Sequence, residues 1–174
     1  PLYIPLAVHC LRGKDPKVCS VIGFPLGAIS MEMKFAETML AIHQGVDELD
    51  MVLNISALKQ GDYKKVSEEV SKIVSASKDV IIKVIIETCL LNDEEKIKVS
   101  SLIKDSGASF VKTSTGFSIA GATTKDISLI RATVGDNFGV KASGGISTLL
   151  DVKSMINAGA NRIGTSSGVK IINE

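Results

Sequence analysis

Gly107-Ala108-Ser109-Phe110-Val111-Lys112-Thr113-Ser114-Thr115-Gly116-Phe117 governs how the rest of the chain is read. A helix-stopping glycine stands two residues before a short apolar strand. The strand ends on a lysine, three hydroxyl side chains and a second glycine. An ammonium group in such a run is costly to bury unless it is paired or neutral. Lys112 therefore signals either a hidden partner or chemistry. The pattern returns in Gly139-Val140-Lys141-Ala142-Ser143-Gly144-Gly145. The joint itself recurs as Gly45-Val46-Asp47 and Gly159-Ala160-Asn161. A glycine at C′ with so short a path to the next strand marks repeated βα units around a parallel sheet.

Working outward, strand-like runs and helical patterns alternate. Strands are expected at 18–24, 49–53, 80–86, at the Lys112 and Lys141 runs, and at 161–164. They are apolar through their length, as strands covered on both faces should be. Helices are expected at 4–11, where the pattern reads as a helix tail, and at 31–44, with Ser30 as N-cap and Phe35, Thr38, Met39 and Ile42 inward. A third covers 63–77 with Val66, Val70, Ile73 and Val74 on one face. Asn92 and Glu95 form a capping-box pattern opening a fourth. Further helices fall at 124–134, at 148–157 with Leu149, Val152 and Ile156 inward, and from about Ser166.

The chain has 174 residues, 45% of them hydrophobic, and no tryptophan, which supports one aliphatic-cored domain over residues 1–174. Twenty basic and nineteen acidic residues leave no electrostatic footprint for nucleic acid. No apolar run approaches roughly 18 residues, so no membrane span is expected. Cys10, Cys19 and Cys89 are widely spaced and read as reduced, buried thiols of a cytoplasmic protein. His9 and His43 form no ligand pattern, so neither a metal nor another cofactor is expected.

Six strands leave two α/β architectures in competition. An open doubly wound sheet suits the count, while a (β/α)8 TIM barrel needs eight units and roughly 200 residues. The nucleotide fingerprints that would favour the open sheet are absent. The opening helix tail fits a barrel whose first two βα units lie upstream of Pro1, the chain then running from the helix of unit two through unit eight.

Strand parity puts Lys112 with Phe110 and Ser114, Lys141 with Ser143, Asp50 with Val52 and Asn54, and Lys83 with Glu87. Each strand thus offers a polar group near its carboxyl end, where barrel active sites form. A lysine attacks a carbonyl carbon only as the neutral amine, and burial or a second cation lowers its pKa. Neighbouring strands would let Lys112 and Lys141 act on each other, with Asp50 keeping Lys141 charged. The competing reading is a buried Lys–Asp–Lys network that merely holds strand register. Ser143-Gly144-Gly145 and Gly164-Thr165-Ser166-Ser167-Gly168 supply hydroxyls and bare N–H groups suited to an anion.

Val111 to Phe117, followed by Gly121-Ala122-Thr123, resembles the Schiff-base segment of the deoxyribose-phosphate aldolase family. Asp47 to Val52 with Ala57-Leu58, Lys83 to Thr88, and Val140 to Ile146 resemble further segments of that family in the same order. The resemblance implies a (β/α)8 barrel and a metal-free class I aldol cleavage of 2-deoxy-D-ribose 5-phosphate. It implies Lys112 as the imine-forming residue, with Lys141 and Asp50 tuning it and relaying protons. Gly116, Gly144, Gly145, Gly164, Ser166 and Ser167 match the phosphate-binding positions. The family carries two βα units ahead of the matched segments, the first with an acidic site residue. The expected partners are a small-molecule phosphosugar and, for assembly, a second copy in a homodimer. Another imine-forming phosphosugar aldolase, or a non-catalytic barrel binding a phosphometabolite, remain the alternatives.

Overall fold

The structure is a computed structural model describing the whole chain, Pro1–Glu174. Its strands are β1 (Cys19–Ile22), β2 (Glu48–Val52), β3 (Ile81–Ile85), β4 (Phe110–Lys112), β5 (Gly139–Ser143) and β6 (Arg162–Gly164). The helices are α1 (Ile4–Leu11), α2 (Met31–His43), α3 (Ile55–Lys59), α4 (Tyr63–Ala76), α5 (Asp93–Asp105), α6 (Thr124–Val134), α7 (Leu149–Asn157) and α8 (Gly168–Ile171). Every strand pair is parallel, and the sheet order follows the chain from β1 to β6. A doubly wound sheet would reverse its order partway. This one does not, so the open-sheet alternative is ruled out.

The sheet also curves. Lys141 on β5 reaches Asp50 on β2 at 2.7 Å, and Arg162 on β6 reaches Glu48 on β2 at 3.0 Å. At about 4.8 Å per strand, a flat sheet would set β2 and β5 roughly 14 Å apart, beyond the reach of such a pair. The chain is a six-stranded parallel α/β half-barrel with its polar groups on the concave side.

On the other side, a cluster of 29 buried apolar residues welds sheet to helices. Val66, Val70 and Ile73 of α4 are fully buried, as their spacing predicts. Each contributes roughly 1.5–3 kcal/mol of transfer energy. The caps at Ser30 and Asn92 are present, the latter as a complete capping box. Gly45, Gly107 and Gly159 take positive φ at the three joints.

The structure corrects the sequence reading in several places. Thr38 is buried as expected, but Met39 and Ile156 are exposed, and Lys34 and Met155 are buried in their stead. Lys34 points inward because its ammonium meets Glu69 at 2.9 Å and the Val52 carbonyl at 2.9 Å, a pairing invisible to hydrophobic periodicity. Cys10 and Cys19 are exposed and Cys89 is half-buried, so none is the core thiol expected. Helix α3, capped by the Asn54 side chain, was not anticipated, five residues being too few for a period to register. The last helix begins at Gly168 rather than near Ser166. No helix is long and apolar enough to cross a membrane.

Candidate active site

Register assembles the site. Lys83 of β3 stands beside Asp50 of β2, and Lys112 of β4 beside Lys141 of β5. Curvature then brings the three lysine side chains to the one carboxylate of Asp50. Asp50 Oδ2 accepts from Lys112 at 2.6 Å and from Lys141 at 2.7 Å, while Oδ1 accepts from Lys83 at 2.9 Å. The sequence reading has Asp50 keeping Lys141 charged; in the structure Asp50 Oδ2 is shared between Lys141 and Lys112. Below this layer Lys83 also meets Glu48 at 2.6 Å, and Glu48 meets Arg162. Cys19, on the edge strand, places its thiol 3.4 Å from Asp50 Oδ1.

Four cationic side chains therefore face two carboxylates. Burial pushes the Asp50 carboxyl up, but Lys112, Lys141 and Lys83 outweigh it and hold it far below the usual carboxylate range. Burial pulls Lys112 below the ordinary lysine value of 10.5; Asp50 opposes this, and Lys141 adds to the lowering. Lys83 goes the other way, because Asp50 and Glu48 together overcome its burial and raise it. Of these two buried amines, Lys112 is the one whose proton is loosened.

A cavity of about 460 Å³ opens above Lys112 and Lys141. Gly116, Gly144, Gly145, Gly164 and Ser166 line it. The N–H groups of Gly116, Gly144, Gly145 and Ser166 find no acceptor within the protein. Gly144 and Gly145 both have positive φ, at 82° and 76°, a conformation an L side chain resists. Successive bare N–H groups of this kind form an anion cradle. Ser167 does not line the cavity, and its N–H is already donated to Thr165 Oγ1 at 2.9 Å. Helix α8 has only four residues, so the cradle rests on loop N–H groups more than on a helix dipole. A larger cavity of about 750 Å³ between α2 and α4 contains none of the site residues anticipated from sequence.

Gly121 holds the cradle from behind. A Cβ on it would overlap the Gly144 carbonyl, and Ala122 N–H donates to the carbonyls of Ser143 and Gly144. Gly121→Ala is expected to lose about 1–3 kcal/mol of stability by overpacking and to weaken phosphate binding. Denaturant midpoints and inhibition by inorganic phosphate would read the two effects; an unchanged inhibition constant would show that the cradle does not depend on this contact.

Sequence reasoning missed Glu48 and Arg162. The signal was available, since each is a charged residue in a largely apolar strand, but only the curve of the sheet pairs them. Lys83, which strand parity groups with Glu87, belongs to the charge network. No cluster of three or more His, Cys, Asp or Glu side chains is arranged to hold a metal.

Comparison with known proteins agrees with this geometry. A family model described as DeoC/LacD family aldolase matches residues 9–174. A deoxyribose-phosphate aldolase of Caldanaerobacter subterraneus subsp. tengcongensis is 55% identical over 177 residues, covering 100% of this chain and 77% of that protein. Among solved structures, the aldolase QR15 is 44% identical with a TM-score of 0.95, over 99% of this chain and 77% of that one. A deoxyribose phosphate aldolase of Aeropyrum pernix, described as a unique tetramer, is 35% identical with a TM-score of 0.92, over 99% and 74%.

Proposed function

This chain belongs to the DeoC/LacD aldolase family, and from that premise we propose that it cleaves 2-deoxy-D-ribose 5-phosphate reversibly to D-glyceraldehyde 3-phosphate and acetaldehyde. The observation that carries the reading is a buried lysine with lowered pKa, beside a second lysine, under an N–H-lined cavity.

In the proposed reaction, neutral Lys112 Nζ adds to the C1 aldehyde carbon of the open-chain sugar. Loss of water leaves a protonated imine. The C3 hydroxyl gives up its proton, the C2–C3 bond breaks, and its electron pair passes into the imine to form an enamine. D-glyceraldehyde 3-phosphate departs as the C3 aldehyde. Protonation of C2 and hydrolysis then release acetaldehyde and restore the amine. The iminium is the electron sink, which is why this class of reaction runs on a side-chain amine.

Asp50, held so far below the ordinary carboxylate range, is a poor store for a proton. Its role is to anchor the ammonium groups and offset the iminium charge. The proton of the C3 hydroxyl passes into water held by the Lys141 ammonium and returns along that water to C2 of the enamine. The phosphate rests on the N–H groups of Gly116, Gly144, Gly145 and Ser166, beside Gly164, and the excess of cations below adds a favourable field. Ser167 is assigned to the same loop as a supporting residue.

The parent architecture proposed is the (β/α)8 barrel, with the six strands here forming one continuous arc of it. The high TM-scores over 99% of this chain support that. A phosphosugar is its small-molecule partner. Assembly as a homodimer and a cytoplasmic location belong to the same proposal.

Borohydride reduction in the presence of acetaldehyde tests the reading. An ethyl adduct on Lys112 is expected by peptide mass mapping; a folded protein without adduct would refute it in favour of phosphometabolite binding alone. The trapping rate should reach half its plateau at a pH below 10.5. Lys141→Met removes a cation that lowers Lys112 and leaves Asp50 Oδ2 to Lys112, with Lys83 still on Oδ1, so the half-point should move upward. A downward move would contradict the assigned coupling.

A further inference from the structure

Glu87 lies just beyond β3 and is the one non-glycine residue in the left-handed region, at φ 52° and ψ 67°. A backbone of this kind costs on the order of 1–3 kcal/mol and persists where its surroundings over-determine it. Its side chain is buried, and its polar partners include no ammonium or guanidinium group. Both carboxyl oxygens accept the Thr115 N–H at 3.3 Å, Oε2 also accepts the Thr115 hydroxyl, and the Cys89 thiol is 3.9 Å away. Desolvating a carboxyl group without such donors would be prohibitive. The turn at Thr115 is therefore what holds Glu87, and Glu87 is what holds the turn.

The consequence reaches the cavity. Thr115 Oγ1, having donated to Glu87, accepts the Phe117 N–H at 3.1 Å. Of three consecutive N–H groups, those of Thr115 and Phe117 are engaged, and that of Gly116 alone stays free. Gly116, at φ 85°, lies against Gly144 in the wall of the cavity above Lys112. Glu87 itself does not line that cavity. It sits behind the turn, on a separate hollow of about 100 Å³ with Pro25 and Leu26. It can thus shape an anion site without putting its own carboxyl group in contact with the anion.

We infer that Glu87 is a positioning residue for the phosphate end of the substrate, acting through the Thr115–Phe117 turn to keep the Gly116 N–H available. The identity of the anion as a sugar phosphate rests on the aldolase reading above; the positioning role does not.

The test compares wild type with Glu87→Ala, Glu87→Gln and Thr115→Val. Its readouts are inhibition by inorganic phosphate, KM and kcat for deoxyribose 5-phosphate, and borohydride trapping with acetaldehyde, which carries no phosphate. Glu87→Ala should weaken phosphate inhibition and raise KM by about tenfold, the loss of one strong hydrogen-bonding contact, while trapping changes by less than about threefold. Glu87→Gln keeps an acceptor for Thr115 and should recover most of the affinity. Thr115→Val, which breaks the same link without touching Glu87, should reproduce the alanine phenotype if Glu87→Ala fails to fold. Unchanged phosphate inhibition in either truncating variant would overturn the proposal. So would a loss of trapping in step with the loss of affinity, which marks general collapse. Absence of trapping in the wild type would instead refute the imine mechanism and leave the phosphate comparison standing.

Discussion

Lys112→Ala is expected to lower aldol turnover by more than about four orders of magnitude, on the order of 5.5 kcal/mol in barrier, and to abolish the borohydride adduct. No other side chain can replace the covalent step. Lys141 Nζ lies 2.7 Å from the same Asp50 oxygen, but it comes from the neighbouring strand and cannot occupy the same attack line. Folding should survive, because Lys141 and Lys83 still neutralise Asp50 and a truncated lysine leaves space that opens to a solvated cavity. Inhibition by inorganic phosphate should therefore persist in the variant, since its donors are backbone N–H groups of the loops beyond β4, β5 and β6 and not the Lys112 side chain. Steady-state assays with phosphate competition separate the two quantities. A Lys112→Ala protein that retained turnover would remove this residue from its assigned role.

Asp50→Asn carries the second largest effect, and here stability is the main observable. Replacing one carboxylate leaves Lys112, Lys141 and Lys83 facing one another around a neutral amide. Breaking a buried charged partnership typically costs about 3–5 kcal/mol. The pH dependence distinguishes this from a packing defect. In the wild type Asp50 titrates far below its ordinary value of 3.8, so its contribution is complete above that value and is lost only as pH falls through the depressed folded value. The variant lacks that contribution throughout. Its lysines release protons more readily folded than unfolded, so its stability should climb with pH toward 10, narrowing the gap to wild type. Urea midpoints at pH 7 and pH 10 measure this. A gap that stayed constant would argue that the amide is tolerated and the network is not electrostatically strained. Turnover should fall as well, because Lys112 then has no carboxylate to offset its iminium.

The legibility of the site followed the range of the forces that build it. Lys112, Lys141 and Asp50 were visible because a charge in an apolar strand stands out locally, and period-two alternation says which face it shares. Gly144, Gly145 and Gly164 were visible because glycines and hydroxyl residues follow two successive strands, although a tight turn alone would also use them. Glu48, Arg162 and Lys34 were not visible as partners. Each pairs with a residue on a distant element, and their charges read in isolation like solvated ones. Ser167, matched to a phosphate position by resemblance, lies outside the cavity lining with its N–H on Thr165 Oγ1. Glu87 stood in plain view at the end of a strand, but its left-handed backbone depends on the Thr115 turn it meets in space.

The alternation of strand and helix, the parallel sheet implied by glycine joints two residues long, and the chemistry available to a buried amine were all properties of the sequence itself. They arise from hydrogen bonding and burial between residues near one another in the chain. The curvature of the sheet belongs to the tertiary structure alone. It converts a row of separate strand-end residues into three ammonium groups on one carboxylate, brings Arg162 of β6 onto Glu48 of β2, and decides which N–H groups remain free. No local pattern encodes that closure, because it results from the accumulated twist and packing of every βα unit against the next.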